Sequence, residues 1–132
     1  MFEIVNMYSV FVASVVAMGI GTLWYSPLLF GTQWRRLQNV PVSDQNFPAS
    51  KMIIEFVSTL VTAFVLSLFT VLLPQTIYAS IIFALVIWVG FYVTMLLSEV
   101  LWENKPFELF LLNAGVRAII LVSMTLILVL WR

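Results

Sequence analysis

Long apolar runs alternate along this chain with short polar breaks, and the lengths of the runs are its first informative feature. Apolar residues dominate about 5–25, 52–73, 78–102 and 107–130. Runs of about 20 residues or more, rising 1.5 Å per residue as helices, match the roughly 30 Å hydrocarbon core of a bilayer. The pattern therefore predicts a single all-α transmembrane domain over 1–132, a polytopic four-helix antiparallel bundle whose main loop covers 31–51. In the first run Ser9, Ala13, Ala17 and Gly21 recur every fourth residue. Four small side chains on one face let a second helix backbone approach closely. The partner is either another helix of the same chain or a second copy.

The breaks carry their own signals. Pro27 ends the first helix, because proline lacks a donor and disfavours helical geometry in the residue before it. Trp24, Tyr25, Phe30 and Trp34 form a belt of amphipathic rings suited to the membrane interface, Gly31 suits a tight turn, and Arg35 and Arg36 follow directly. The second run opens with Glu55, Ser58, Thr59 and Thr62, a polar stripe expected to look inward. The short turn at Pro74-Gln75-Thr76 predicts a third helix antiparallel and adjacent to the second. In that helix Trp88, Tyr92, Met95 and Glu99 share a face. Glu103-Asn104-Lys105-Pro106 turns the chain into the last run, where Glu108 suits the positive end of the helix dipole.

Composition sharpens the picture. Of 132 residues 63% are hydrophobic and only 9% charged, against roughly 25% charged in a soluble domain. Six basic and six acidic residues cancel, so no nucleic-acid partner is expected; membrane lipids are the expected surroundings. With no cysteine and no histidine, disulfides, thiol catalysis and the usual zinc and haem ligation are excluded, and no cofactor, metal site or catalytic set is expected. Met1-Phe2-Glu3 lacks the basic region of a cleavable signal peptide, so the first run is expected to be a retained span. Arg35, Arg36, Lys51 and Lys105 lie on one side of the four spans and Arg132 on the other. The positive-inside rule then puts the long loop in the cytoplasm and both termini outside, as in a bacterial inner membrane.

The last run holds Arg117 near its middle, about 15 Å along the helix from Phe107. An arginine there costs at least ~2.5 kcal/mol and faces other helices or a wet cavity. Antiparallel threading puts Glu55, Glu99, Asn113 and Arg117 in the same half of the membrane, with Tyr92 beside them. A snorkelling guanidinium would climb toward Asn113 and the two carboxylates. Two readings stay open: a buried ion pair that fixes helix register, or a solute or proton site.

Several motifs carry a family resemblance. Gly21-x-x-Trp24-Tyr25-Ser26-Pro27-x-x-Phe30-Gly31-x-x-Trp34, Trp88-x-Gly90-Phe91, and Glu103-x-Lys105-Pro106 followed by Leu111-x-Asn113-Ala114-Gly115 resemble the small bacterial membrane proteins grouped as domain of unknown function 1761. The resemblance covers nearly the whole chain and implies a four-helix membrane domain standing alone, with no established activity, substrate or cofactor. Where it leads one to expect an aromatic residue or histidine before Arg117, this chain has Val116. The functional expectation is a non-enzymatic membrane protein acting through helix association, as a homo-oligomer or an accessory subunit. The alternative is a small oligomeric transporter or channel with a charged site around Arg117 and Glu99. A water-filled cavity reaching Arg117 would favour the second.

Overall fold

The computed structural model describes residues 4–38 and 49–132. The elements are α1 (Met7–Trp24), α2 (Gly31–Gln38), α3 (Ala49–Thr70), α4 (Ile77–Ile87), a π-helical turn (Trp88–Val93), α5 (Thr94–Glu103) and α6 (Phe107–Leu130). The π turn joins α4 to α5 without a break. Four segments are therefore long and apolar enough to cross a membrane: α1, α3, Ile77–Glu103 and α6.

Local chemistry sets the ends of these helices. Asn6 caps α1, its side-chain oxygen accepting from the Tyr8 amide at 3.1 Å, and Thr76 caps α4 in the same way through the Ala79 amide at 3.1 Å. Asn104 takes the left-handed conformation, φ 55°, in which asparagine is more readily accommodated than most residues, and this reverses the chain before Pro106 and α6. Beside it Lys105 hydrogen-bonds Glu103 at 2.9 Å. That bond raises the lysine pKa, and the Glu99 charge adds a smaller push in the same direction. Hydroxyls within the spans donate to their own helix: Ser14 to Val10, Thr59 to Glu55 and Ser80 to Thr76, at 2.7 to 2.8 Å. A serine or threonine can thus sit in an apolar helix without a lost hydrogen bond.

Helix α6 is the centre of the bundle. Of its most apolar stretch 44% is buried inside the protein, against 11% for Ile77–Glu103, so α6 is the helix on which the others are built. It packs along α1, α4 and α3, and α1 also packs along α3. Val10, Ala13 and Ala17 of α1, Ala63 and Leu66 of α3, Ala84 of α4, and Leu121, Met124 and Leu128 of α6 form one buried cluster. Alanines at four of these nine positions let the backbones come close, which matters where lipid tails compete equally for apolar surface.

The structure departs from the sequence expectations in three places. The third span packs on α6 and is not among the close neighbours of α3, because the Pro74 turn constrains only the ends that it joins. The segment expected as a loop over 31–51 begins with α2 and ends inside α3, while residues 39–48 lie outside the described residues. Helix α3 stops at Thr70, three residues short of the expected end. The carbonyls just past its end are bonded by Arg132, whose Nη1 donates to Val71 O at 2.8 Å and whose Nη2 donates to Leu73 O at 2.9 Å.

Candidate functional site

The motif residues at the end of α1 build one wall of the site. Backbone bonds from the Phe30 amide to Trp24 O and from the Gly31 amide to Ser26 O, each 2.9 Å, fold the chain tightly back into α2. A Cβ on Gly31 would lie 2.7 Å from the Ser26 carbonyl carbon and oxygen, and nearer still to the Tyr25 carbonyl oxygen. Glycine is required there for space, and it opens α2 instead of forming the turn expected from the sequence. The rings of this stretch are half-buried and packed on one another. Trp24 lies 4.5 Å from Phe30, and Tyr25 lies 5.4 Å from Trp34, centroid to centroid. They do more than mark an interface, since they clamp α2 against the bundle.

Three distant motifs converge on one stretch of α6. Tyr25 Oη donates to Asn113 Oδ1 at 2.6 Å. Trp88 Nε1 donates to the Ala114 carbonyl at 2.8 Å. The Trp24 ring lies over Gly115, where an added Cβ would come within 3.3 Å of it. Asn113-Ala114-Gly115 is therefore a docking triplet, with one polar side chain, one backbone carbonyl and one missing side chain, each used by a different aromatic residue.

Beside this junction lies a cavity of about 890 Å³. Its walls are the C-terminal half of α1 with Tyr25, the face of α2 that carries Trp34 and Arg35, the N-terminal half of α3, the face of the third span that carries Tyr92, Leu96 and Glu99, and α6 from Asn113 to Met124. Along α6 it spans twelve residues, Asn113 to Met124, or about 17 Å. Lys51, Glu55 and Glu99 are exposed, and no residue of the turn at Val71–Thr76 lines the cavity. Among the described residues it therefore opens at the α2 end, and its other end stops at Leu121 and Met124 of the core. Its flanks, α3 and α5, do not pack closely on each other.

All five residues that sequence reasoning placed in a polar cluster, Glu55, Tyr92, Glu99, Asn113 and Arg117, line this cavity, as do Ser58, Thr59 and Thr62. Of the two readings left open for Arg117, the ion pair is not formed among the described residues. Among the described residues the only salt bridge is Lys105 with Glu103, and Arg117 has no hydrogen-bond partner there. Both carboxylates are exposed while Arg117 is half-buried. The face of the third span also differs. Met95 is 67% exposed and Leu96 lines the cavity in its place, because Tyr92, Leu96 and Glu99 follow the i, i+4, i+7 spacing of one helical face. Of the small-residue seam, Ser9, Ala13 and Ala17 are buried within the chain. Ala17 and Gly21 both line the cavity, and a Cβ added at Gly21 would meet nothing within 4 Å.

Sequence reasoning missed Arg35. It is only 5% exposed, lines the cavity, and has no hydrogen-bond or ion-pair partner among the described residues. A signal existed in the alternation of Trp34 and Arg35 with exposed Gln33 and Arg36 on a short helix.

The family model described as a protein of unknown function (DUF1761) matches residues 8–129. The chain belongs to that family. The match spans every element that lines the cavity, so the cavity lies within the family's domain. Comparison with curated proteins and with solved structures finds no match.

Proposed function

We propose that this member of DUF1761 is a non-enzymatic solute-binding protein of the membrane, and that its cavity is one half of a transport path. The observation that carries this reading is a cavity of about 890 Å³ reaching an arginine that has no ion-pair partner among the described residues. Arginine stays protonated in a protein, so its burial at mid-depth requires water or a ligand beside it. A path open at one end and blind at the other is what an alternating carrier presents in a single state. The basic residues Arg35, Arg36, Lys51 and Lys105 cluster at the open end, which the positive-inside rule puts in the cytoplasm, with both termini outside. The setting that suits this is a bacterial inner membrane. Action through assembly, as a homo-oligomer or an accessory subunit, stands second, because most of the small-residue seam that suggested it is covered within the chain.

The test exploits the absence of native cysteine. Thr62→Cys and Ile120→Cys on the cavity wall should react with a membrane-impermeant thiol reagent supplied from the α2 side. Ala63→Cys, at a position 0% exposed in the core, should not. Cavity-wall cysteines as inert as the core control would show a dry bundle and end the solute-binding reading.

A further inference from the structure

We infer that the cavity takes an amphiphilic anion, a carboxylate or phosphate group carried on an apolar body. This inference rests on the solute-binding reading above and adds to it the chemical class of the ligand. Two arginines line the cavity, Arg35 at the α2 end and Arg117 further along α6. Arg35 is 5% exposed and, like Arg117, has neither a hydrogen bond nor an ion pair among the described residues. A guanidinium cannot shed its proton to escape burial, so a buried one needs an anion or a set of acceptors. The carboxylates that share the cavity do not supply it, because Glu55 and Glu99 are exposed and neither comes within 4.0 Å of an arginine nitrogen.

The rest of the wall defines the other end of the ligand. Beyond Arg117, toward the blind end, the lining is Ile120, Leu121 and Met124, faced by Met18 of α1 and by Thr59 and Thr62 of α3, whose hydroxyls are bonded to the Glu55 and Ser58 carbonyls of their own helix, so that this part offers mainly apolar surface. A small inorganic anion would leave that part filled with water against apolar walls. An apolar body attached to the anion would fill it and remove that surface from water. Two sources present this chemistry, an anionic lipid that enters between α3 and α5 and a soluble organic acid that enters at the α2 end.

The experiment uses the full chain in nanodiscs of phosphatidylcholine, with binding read by tryptophan fluorescence and calorimetry. The probes are phenyl phosphate, inorganic phosphate and benzylammonium. Phenyl phosphate should bind, inorganic phosphate should bind more weakly, and benzylammonium should not bind. Arg117→Gln and Arg35→Gln should each weaken phenyl phosphate by roughly tenfold, the loss of one charge-assisted contact. Arg36→Gln, on the exposed face of α2, should leave it unchanged. Nanodiscs containing phosphatidylglycerol then separate the sources. Competition with phenyl phosphate identifies a lipid headgroup, no competition identifies a soluble acid, and either result supports the anion site.

Should the glutamine variants fail to fold, Arg117→Lys and Arg35→Lys keep the charge but lose the fork geometry, and weaker phenyl phosphate binding by them gives the same answer. Binding of benzylammonium that is lost in Glu55→Gln or Glu99→Gln would overturn the anion class and leave a solute cavity standing. So would no binding of any probe to a cavity that the cysteine test finds wet. A coupling in thermal stability between Arg35→Gln and Asp44→Asn, the one acidic residue of the sequence between 39 and 48, with no effect of phenyl phosphate on either, would show that the counter-charge belongs to the chain itself and would also overturn the inference.

Discussion

At the scale of single residues, the site depends on what is missing as much as on what is present. Gly31 has no room for a methyl group between the Tyr25 and Ser26 carbonyls. Gly31→Ala is expected to destabilise the protein by roughly 1–3 kcal/mol, the usual cost of overpacking, and to loosen α2, seen as a lower Tm in detergent. Hydrogen bonding separates two other positions. The Thr125 hydroxyl is buried with no partner among the described residues, whereas Trp88 Nε1 gives a 2.8 Å bond to Ala114 O. Thr125→Val removes an uncompensated polar group and should raise Tm or leave it unchanged. Trp88→Phe removes a satisfied donor and should lower stability by about 1 kcal/mol. Thermal unfolding of the two variants side by side checks both, and the opposite order would mean that Thr125 has found water.

Elements show how one helix face serves two purposes. The face of α1 that carries the small residues passes from a packed contact at Ser9, Ala13 and Ala17 to a cavity wall at Gly21. Ala17→Leu must push backbones apart and should cost roughly 1–3 kcal/mol. Gly21→Leu meets open space, so it should keep Tm near wild type while shielding Thr62→Cys from aqueous thiol reagents. Equal destabilisation by both would show that Gly21 is packed after all. The third span has the same division. Ser80 and Ala84 are buried in α4, whereas α5 buries nothing, and Tyr92 of the π turn between them lines the cavity with Leu96 of α5. A π turn is uncommon and costly enough to recur mostly at functional sites, which agrees with its place beside the cavity.

For the whole molecule, the two ends of the bundle are built differently. At one end Arg132 bonds the carbonyls that follow α3, and Gln75 Nε2 reaches Leu130 O at 3.2 Å, so that end is tied shut. At the other, α2 and the exposed charges frame an opening. A reporter attached after Arg132 should read outside and one inserted after Gln38 should read inside, as the excess of basic residues at the open end requires. Placing the first reporter after Arg132 keeps the cap on α3 intact. Reversed labelling would invert the direction of any transport while leaving the four spans in place.

Four spans, their order and the residues that could not face lipid were legible in the sequence, because span length and the cost of polar groups in hydrocarbon are properties of each segment alone. The polar positions Glu55, Tyr92, Glu99, Asn113 and Arg117 follow from that cost, and so does their gathering in one half of the bundle. Whether Arg117 meets a carboxylate or open space does not follow, because it turns on how far apart two helices stand. Only the tertiary structure settled that α3 and α5 diverge, that α6 and not α3 receives the third span, and that folding Gly31 under Tyr25 buries Arg35 beside the same cavity. Each of these depends on close packing between segments far apart in the chain, and hydrophobic periodicity within a helix contains no information about its neighbour's distance.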